Sequence, residues 1–378
     1  MDFRINEDQA AIAEMASRLF SEQCDDARLS AFDRGGQPYD ADLWRKVVET
    51  GLHALLVDLD AGGSGLGMTE LMLVLQAQGR ALAPVPLWRH QLATAALASF
   101  GEGDVNASLV AGAVAGEFLA TLSVEGALQA RGLSLHARAS GEEWRLDGTA
   151  QAVPLAAQSR WALLTANAGS EVRLFVVDLS SPAVSFVEGI FTHGERVADV
   201  VCKDCVVPSA ASLPGAALRW VEQRACAAVA ALQLGVSEDQ LRRTAEYVGE
   251  RRQFDRVIAT FQAAQMQMAD GYIHRETVRS SLMQLCYRLD AGLDAAPQAL
   301  ATKFLASELG HRVGHMAQHL HGGMGVDTTY PIHRYQLWSR ALGLAMGGPG
   351  GVLSRLGDWL ADNDKLGWKY DLNEQSQV

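Results

Sequence analysis

Apolar and polar positions alternate with two different periods along this chain. From Glu7 to Phe20 the apolar residues Ile12, Met15, Ala16, Leu19 and Phe20 recur at three- and four-residue steps, so the spacing predicts a helix with one buried face. Further helices are expected over Ala41–Thr50, Met68–Ala83 and Leu92–Ser99, separated by the glycine-rich Ala61–Gly67 and by Pro84 and Pro86. Between about Phe118 and Pro214 the period shortens to two. LHARASGEEWRLDGTAQAV, WALLTANAGSEVRLFVVDL and VADVVCKDCVVP read as strands broken by Gly, Asn, Asp and Ser, and they predict an antiparallel, barrel-like β domain. No βαβ rhythm appears, so a doubly wound nucleotide-binding unit is not expected.

After Pro214 the helical period returns in four long stretches, about Ala216–Arg251, Thr260–Leu289, Ala296–His319 and Pro331–Asp362, lengths that suit a four-helix bundle. The expected organisation is mainly α with a β domain: residues 1–112 all-α, 113–215 β and 216–378 a four-helix bundle. Glu374–Val378 reads as a frayed tail.

Composition narrows the function classes. With 378 residues, 48% of them hydrophobic and 20% charged, the chain can bury a sizeable core. A net charge of −12 supplies no basic face for nucleic acid. Met1–Gln9 carries Asp2, Glu7 and Asp8 and no apolar signal core, and no apolar run approaches the ~20 residues that cross a bilayer, so the expected location is cytoplasmic. Five scattered cysteines suit reduced thiols. Cys202 and Cys205 spell C-x-x-C, but they lie on an expected strand, where residues three apart face opposite sides, so they read as structural.

Two segments carry a chemical signal. Glu250-Arg251-Arg252-Gln253-Phe254-Asp255, followed by Phe261-Gln262, sets a guanidinium fork at the end of one long helix and an amide at the start of the next. Such a pair could grip a pyrophosphate. His319-Leu320-His321-Gly322-Gly323-Met324-Gly325 puts three glycines after a helix, which lets backbone approach a ligand. Each segment alone also reads as an ordinary charged helix end or helix cap.

Together, E-R-x-x-F-x-x-x-(I/L)-x-x-F-Q and the later H-G-G-x-G, in an α–β–α frame with Gly62-Gly63-Ser64-Gly65 near its start, resemble the acyl-CoA dehydrogenase family over essentially the whole chain. The resemblance implies FAD held between subunits of a dimer and oxidation of an acyl-CoA thioester to its trans-2-enoyl form. By motif position, Arg251 and Gln262 would reach the FAD of the neighbouring subunit. Phe254 would pack beside them, and Gly322 and Gly323, with His319 in place of the usual glutamine, would line the same cofactor.

The departures from the family pattern are specific. LSVEGALQARG and TAQAVPLAA stand where the family has T-E-P-x-A-G-S-D and W-I-(T/S)-N, which leaves less to hold the flavin ring. The usual base, a glutamate before the last helix, falls in Leu344-Ala345-Met346-Gly347-Gly348-Pro349, which holds no carboxylate. A second family location falls near Ala225, and Glu222 is the nearest acid. HLHGGMGVDTTYPIHRY with LGLAMGGPGGVLSRLG resembles the base-less subunit of bacterial α2β2 acyl-CoA dehydrogenases acting on steroid side-chain thioesters. The expectation is therefore a non-catalytic member of a heteromer with a homologous subunit. The alternatives are a homo-oligomer with Glu222 as base and a non-enzymatic paralogue that holds a partner or an acyl-CoA.

Two further patterns are discounted. His311, His315 and His319 form one helical stripe, but no carboxylate or cysteine completes a metal site. GGSGLG at 62–67 follows no strand and lacks the G-x-G-x-x-G spacing. Gly347–Gly351 is expected to be a flexible turn.

Overall fold

A computed structural model describes residues 3–128 and 132–363. The expected tail Glu374–Val378 lies outside the described residues.

Six helices come first: α1 (Glu7–Gln23), α2 (Asp26–Gly35), α3 (Ala41–Glu49), α4 (Met68–Ala81), α5 (Leu87–Phe100) and α6 (Asp104–Val114). Side-chain caps start α1, α2 and α3, from Asn6, Asp25 and Asp40, each accepting from a backbone N–H three residues on. Helix α5 is buried nearly all round, from Leu87 to Leu97. Among its buried groups is His90, whose Nδ1 accepts from Ala120 N at 3.2 Å while its ring lies 5.9 Å from that of His53. Burial, with His53 adding to it, pushes the His90 imidazole down to about 3, and burial lowers His53 as well.

The central strands are β1 (Leu119–Ser123), β2 (Ser134–Ser140), β3 (Glu143–Pro154), β4 (Ser159–Ala168), β5 (Glu171–Asp178), β6 (Val184–Ile190), β7 (Arg196–Pro208) and β8 (Ser212–Leu213). They form one sheet in the order β6-β7-β3-β2-β4-β5-β8, with β1 added on β4. The sheet is mixed rather than purely antiparallel, because β1 runs parallel to β4 and β2 meets β4 in parallel at His136 and Asn167. Burial explains this: all five residues of β1 are buried, as suits a strand covered on both faces. Trp161 and Phe175 fill the interior of the sheet.

The two cysteines correct a second expectation. Leu146 pairs with Cys205 while Gly148 pairs with Cys202, so one extra residue bulges out of β7, and Asp204 takes the left-handed φ of 48°. The bulge resets the alternation, and Cys202 and Cys205 both turn inward, 2% exposed each. Both remain free thiols.

Three long helices follow, α7 (Gly215–Glu250), α8 (Gln262–Asp290) and α9 (Ala296–His321), with a small hairpin of β9 (Arg252–Gln253) and β10 (Arg256–Val257) between the first two. The last expected helix is two, α10 (Ile332–Leu344) and α11 (Gly348–Asp362), broken by the 3-10 turn Ala345–Gly347. The expected flexible turn is also shorter than Gly347–Gly351. Gly348–Gly351 form the first turn of α11, where Pro349 is tolerated because its missing N–H is one that a helix start leaves unbonded.

Two acids hold the N-terminal helices onto the bundle. Glu238 of α7 accepts from Gln76 Nε2 at 2.8 Å and Arg80 Nε at 2.7 Å on α4, and pairs with Arg279 of α8. Asp290, at the end of α8, accepts from Met68 N at 2.6 Å, Thr69 N at 3.0 Å and Thr69 Oγ1 at 2.6 Å, and so caps α4. A Cβ at Gly67 would lie 2.6–2.9 Å from that carboxylate, so the GGSGLG turn serves this docking.

Candidate functional site

The sequence-selected groups fall in two places. Arg251 ends α7 and Gln262 opens α8, both exposed. Between them Phe254 and Asp255 form the tip of the β9–β10 hairpin with φ of 54° and 61°, the two positive values that a two-residue type I′ loop requires. Phe254 is 86% exposed and meets Phe261 only edge-on, ring centroids 6.3 Å apart. Among the described residues no side-chain hydrogen bond engages the Arg251 guanidinium or the Gln262 amide. They stand as free donors at a solvent face.

The second loop has a similar character. Gly322 ends α9 with φ 59° and ψ −133°, and a Cβ placed there would meet nothing within 4 Å, as at Gly323. His319 is exposed beside it. His321 instead turns in and stacks on Tyr247 at 4.2 Å. His311 and His315 are exposed, and no group of three His, Cys, Asp or Glu side chains among the described residues could hold a metal ion.

The place where a base is sought is built differently. In the turn Ala345–Gly347, Met346 is completely buried and left-handed, with φ 59° and ψ 31°. For a non-glycine residue that backbone costs about 1–3 kcal/mol, which persists because burial of the side chain over-determines it. The short turn Glu125–Leu128 packs on it, and a Cβ at Gly347 would sit 3.3 Å from the Leu128 carbonyl oxygen. Beneath lies Lys303, fully buried, whose Nζ donates to Ser307 Oγ at 2.7 Å and to the Gly343 carbonyl at 3.1 Å. Burial pushes this amine down to about 8.

Glu222 lies on α7 with its carboxylate bonded to Arg355 of α11 at 2.9 Å. Burial raises this carboxyl above its ordinary range, and Arg355 pulls the other way. Ala225 is completely buried.

On the β side, Arg89 and Glu125 form a part-buried pair at 2.7 Å, which the sequence reading missed because the partners stand on different elements. Arg89 also donates to the Leu122 carbonyl at 3.0 Å and lies over the Trp88 ring. The Glu125 carboxylate accepts from Val124 N at 3.1 Å and from Ser123 Oγ at 3.4 Å, and so occupies the donors at the end of β1. Within TAQAVPLAA, Ala152 is left-handed with its N–H on Asp199, and Pro154 offers no N–H at all.

Comparison with known proteins decides the family. The profiles described as acyl-CoA dehydrogenase N-terminal and C-terminal domains match residues 6–117 and 222–356. Acyl-CoA dehydrogenase FadE27 of Mycobacterium tuberculosis is 32% identical over 96% of this chain and 99% of its own. This chain belongs to the acyl-CoA dehydrogenase family. The fold agrees: a chain of the ChsE4-ChsE5 complex from Mycobacterium tuberculosis superposes with a TM-score of 0.91 at 32% identity, covering 96% of this chain and all of that one. A chain of the Tcur3481-Tcur3483 steroid ACAD superposes at 0.89 with 35% identity, over 95% and 99% of the two chains. Acyl-CoA dehydrogenases are FAD-binding oxidoreductases acting on CH–CH donors, and FAD complexes occur among the folds this chain matches.

The residues present fit only part of that cofactor. Open glycine backbone, the Arg251 fork and the Gln262 amide suit a pyrophosphate and its adenosine. The β-side residues do not suit a flavin ring, because Glu125 already engages the Ser123 and Val124 donors and Ala152 and Pro154 supply neither hydroxyl nor indole. Among the described residues no helix is long and apolar enough to cross a membrane.

Proposed function

We propose that this chain is the base-less subunit of a heteromeric acyl-CoA dehydrogenase that desaturates the thioester of a bulky acyl group such as a steroid side chain. One observation carries the reading: the loop in which the family's base is expected holds Met346, buried and left-handed under Glu125–Leu128. A thioether cannot take the α-proton, and a carboxylate there would be desolvated without a partner. The exposed Arg251, Gln262, Gly322 and Gly323 then serve the FAD of a homologous partner that supplies the base and the ring site. The likeness to the Tcur3481-Tcur3483 steroid ACAD supports the substrate class.

The test is expression of the full chain alone and with a homologous subunit that carries the glutamate. Alone it should purify without stoichiometric flavin absorbance and with little turnover, whereas the pair should be yellow and active. A colourless, inactive pair counts against the reading, and so does full activity of the single chain. The rival reading takes Glu222 as base, supported by its raised carboxyl. Glu222→Gln should then lower kcat by a factor of ~10²–10⁴. If Glu222 serves only to hold Arg355, kcat stays within about twofold of the native value while stability falls.

A further inference from the structure

A cavity of about 650 Å³ opens where the N-terminal segment Phe3–Ile5, the start of α4, the start of α7 and the end of α8 converge. Its volume is in the range of small-molecule sites. It lies away from Met346, the hairpin tip and Gly322, none of which lines it.

The polar groups of this cavity are unequal. Glu70 is engaged by Gly67 N and Gln9 Nε2, both at 2.9 Å, and Asp290 caps α4. Arg224 is not matched in the same way. Its guanidinium lies 4.0 Å over the Trp220 ring, and its hydrogen bonds go to two carbonyls at the outer limit, Trp220 O at 3.5 Å and Leu289 O at 3.4 Å. It forms no ion pair among the described residues, although burial pushes it down to about 10 and Asp290 is near enough to oppose that shift. A half-buried cation with five N–H groups and two long contacts calls for an anion. Arg4, Gln9, Thr69 and Tyr287 also line the cavity, and its apolar side is formed by Phe3, Leu66, Met72 and Met283.

We propose that this cavity binds an amphipathic monocarboxylate, its carboxylate on the Arg224 fork and its apolar body against Phe3, Leu66, Met72 and Met283. The planar guanidinium selects a carboxylate bidentately, and the stacked Trp220 ring orients the fork. Glu70 and Asp290 line the same cavity as Arg4 and Arg224, so its charged side chains balance and a polyphosphate or a dicarboxylate is disfavoured against a single carboxylate.

The test is calorimetric titration of the full chain, alone and in the co-expressed complex, with decanoate, decan-1-ol and inorganic phosphate. Decanoate should bind one to one, decanol at least about tenfold more weakly, and phosphate not at all. Arg224→Gln should weaken decanoate at least about tenfold, with Arg224→Lys between the two. Met283→Trp, which fills the apolar wall and leaves Arg224 in place, should abolish binding. Circular dichroism and Tm check that each variant folds. Absence of decanoate binding to the native chain overturns the proposal, as does undiminished binding to folded Arg224→Gln or Met283→Trp.

Discussion

The turn after α9 and the turn after α10 share one backbone feature and put it to opposite uses. Gly322 and Met346 both have φ of 59°. At Gly322 the conformation carries no side chain, the residue is exposed, and a ligand can come up against the backbone. At Met346 the same angle drives a thioether into the interior and closes the site. A left-handed residue is thus a surface for binding in one turn and a plug in the other. Only the side chain and its surroundings decide which.

The largest effect that would sharpen this contrast is loss of cofactor. In the co-expressed complex, Arg251→Ala should lower flavin occupancy and weaken FAD by ~10- to 100-fold, since a charge-assisted hydrogen bond is worth about 1.5–3 kcal/mol. Retained flavin at native stoichiometry would show that the open turn and hairpin are not a cofactor face. Met346→Glu comes next. An unpaired carboxylate in that buried turn should destabilise the chain by about 2–4 kcal/mol without creating turnover in the isolated chain. Activity gained by the single chain would break the comparison. Met346→Gly relieves about 1 kcal/mol or more of backbone strain but leaves a cavity worth about 2–5 kcal/mol, so a smaller net loss is expected, read as a lowered urea midpoint.

The mildest effect concerns pH. His90 and His53 have folded-state values below the ordinary 6.5, so the folded protein binds fewer protons there than the unfolded chain does. Their contribution is therefore complete above about pH 6.5 and is lost as pH falls toward the folded value. For His90 the slope is about 1.4 kcal/mol per pH unit once its unfolded form is protonated, and His53 acts in the same direction. Urea midpoints at pH 7 and pH 5 check this, and His90→Gln should flatten the dependence. An unchanged slope would place the acid sensitivity elsewhere.

The long elements were legible because burial is periodic. α1, α4, α7, α8 and α9 each start and end within three residues of the expected position. The break between α10 and α11 was not legible: the glycines and proline of GGPGG read as a turn, yet Gly348–Gly351 begin a helix and the break falls just before them, at Ala345–Gly347. The orientation of Cys202 and Cys205 was also hidden, because a bulge is fixed by the partner strand and not by the C-x-x-C spacing. At the site, the identity of Met346 was visible, and so was the lack of a carboxylate. Its burial and handedness arise from packing against Glu125–Leu128, more than two hundred residues away. The Arg89–Glu125 pair depends on tertiary proximity in the same way.

The Asp290 cap has a consequence for how the molecule comes apart. A helix start whose Met68 and Thr69 N–H groups are satisfied by Asp290, more than two hundred positions later, is complete only when both regions are in place. With Glu238 adding a second shared anchor, the N-terminal helices and the C-terminal bundle should melt in a single cooperative step. A fragment that ends before α8 would carry α4 with a frayed first turn.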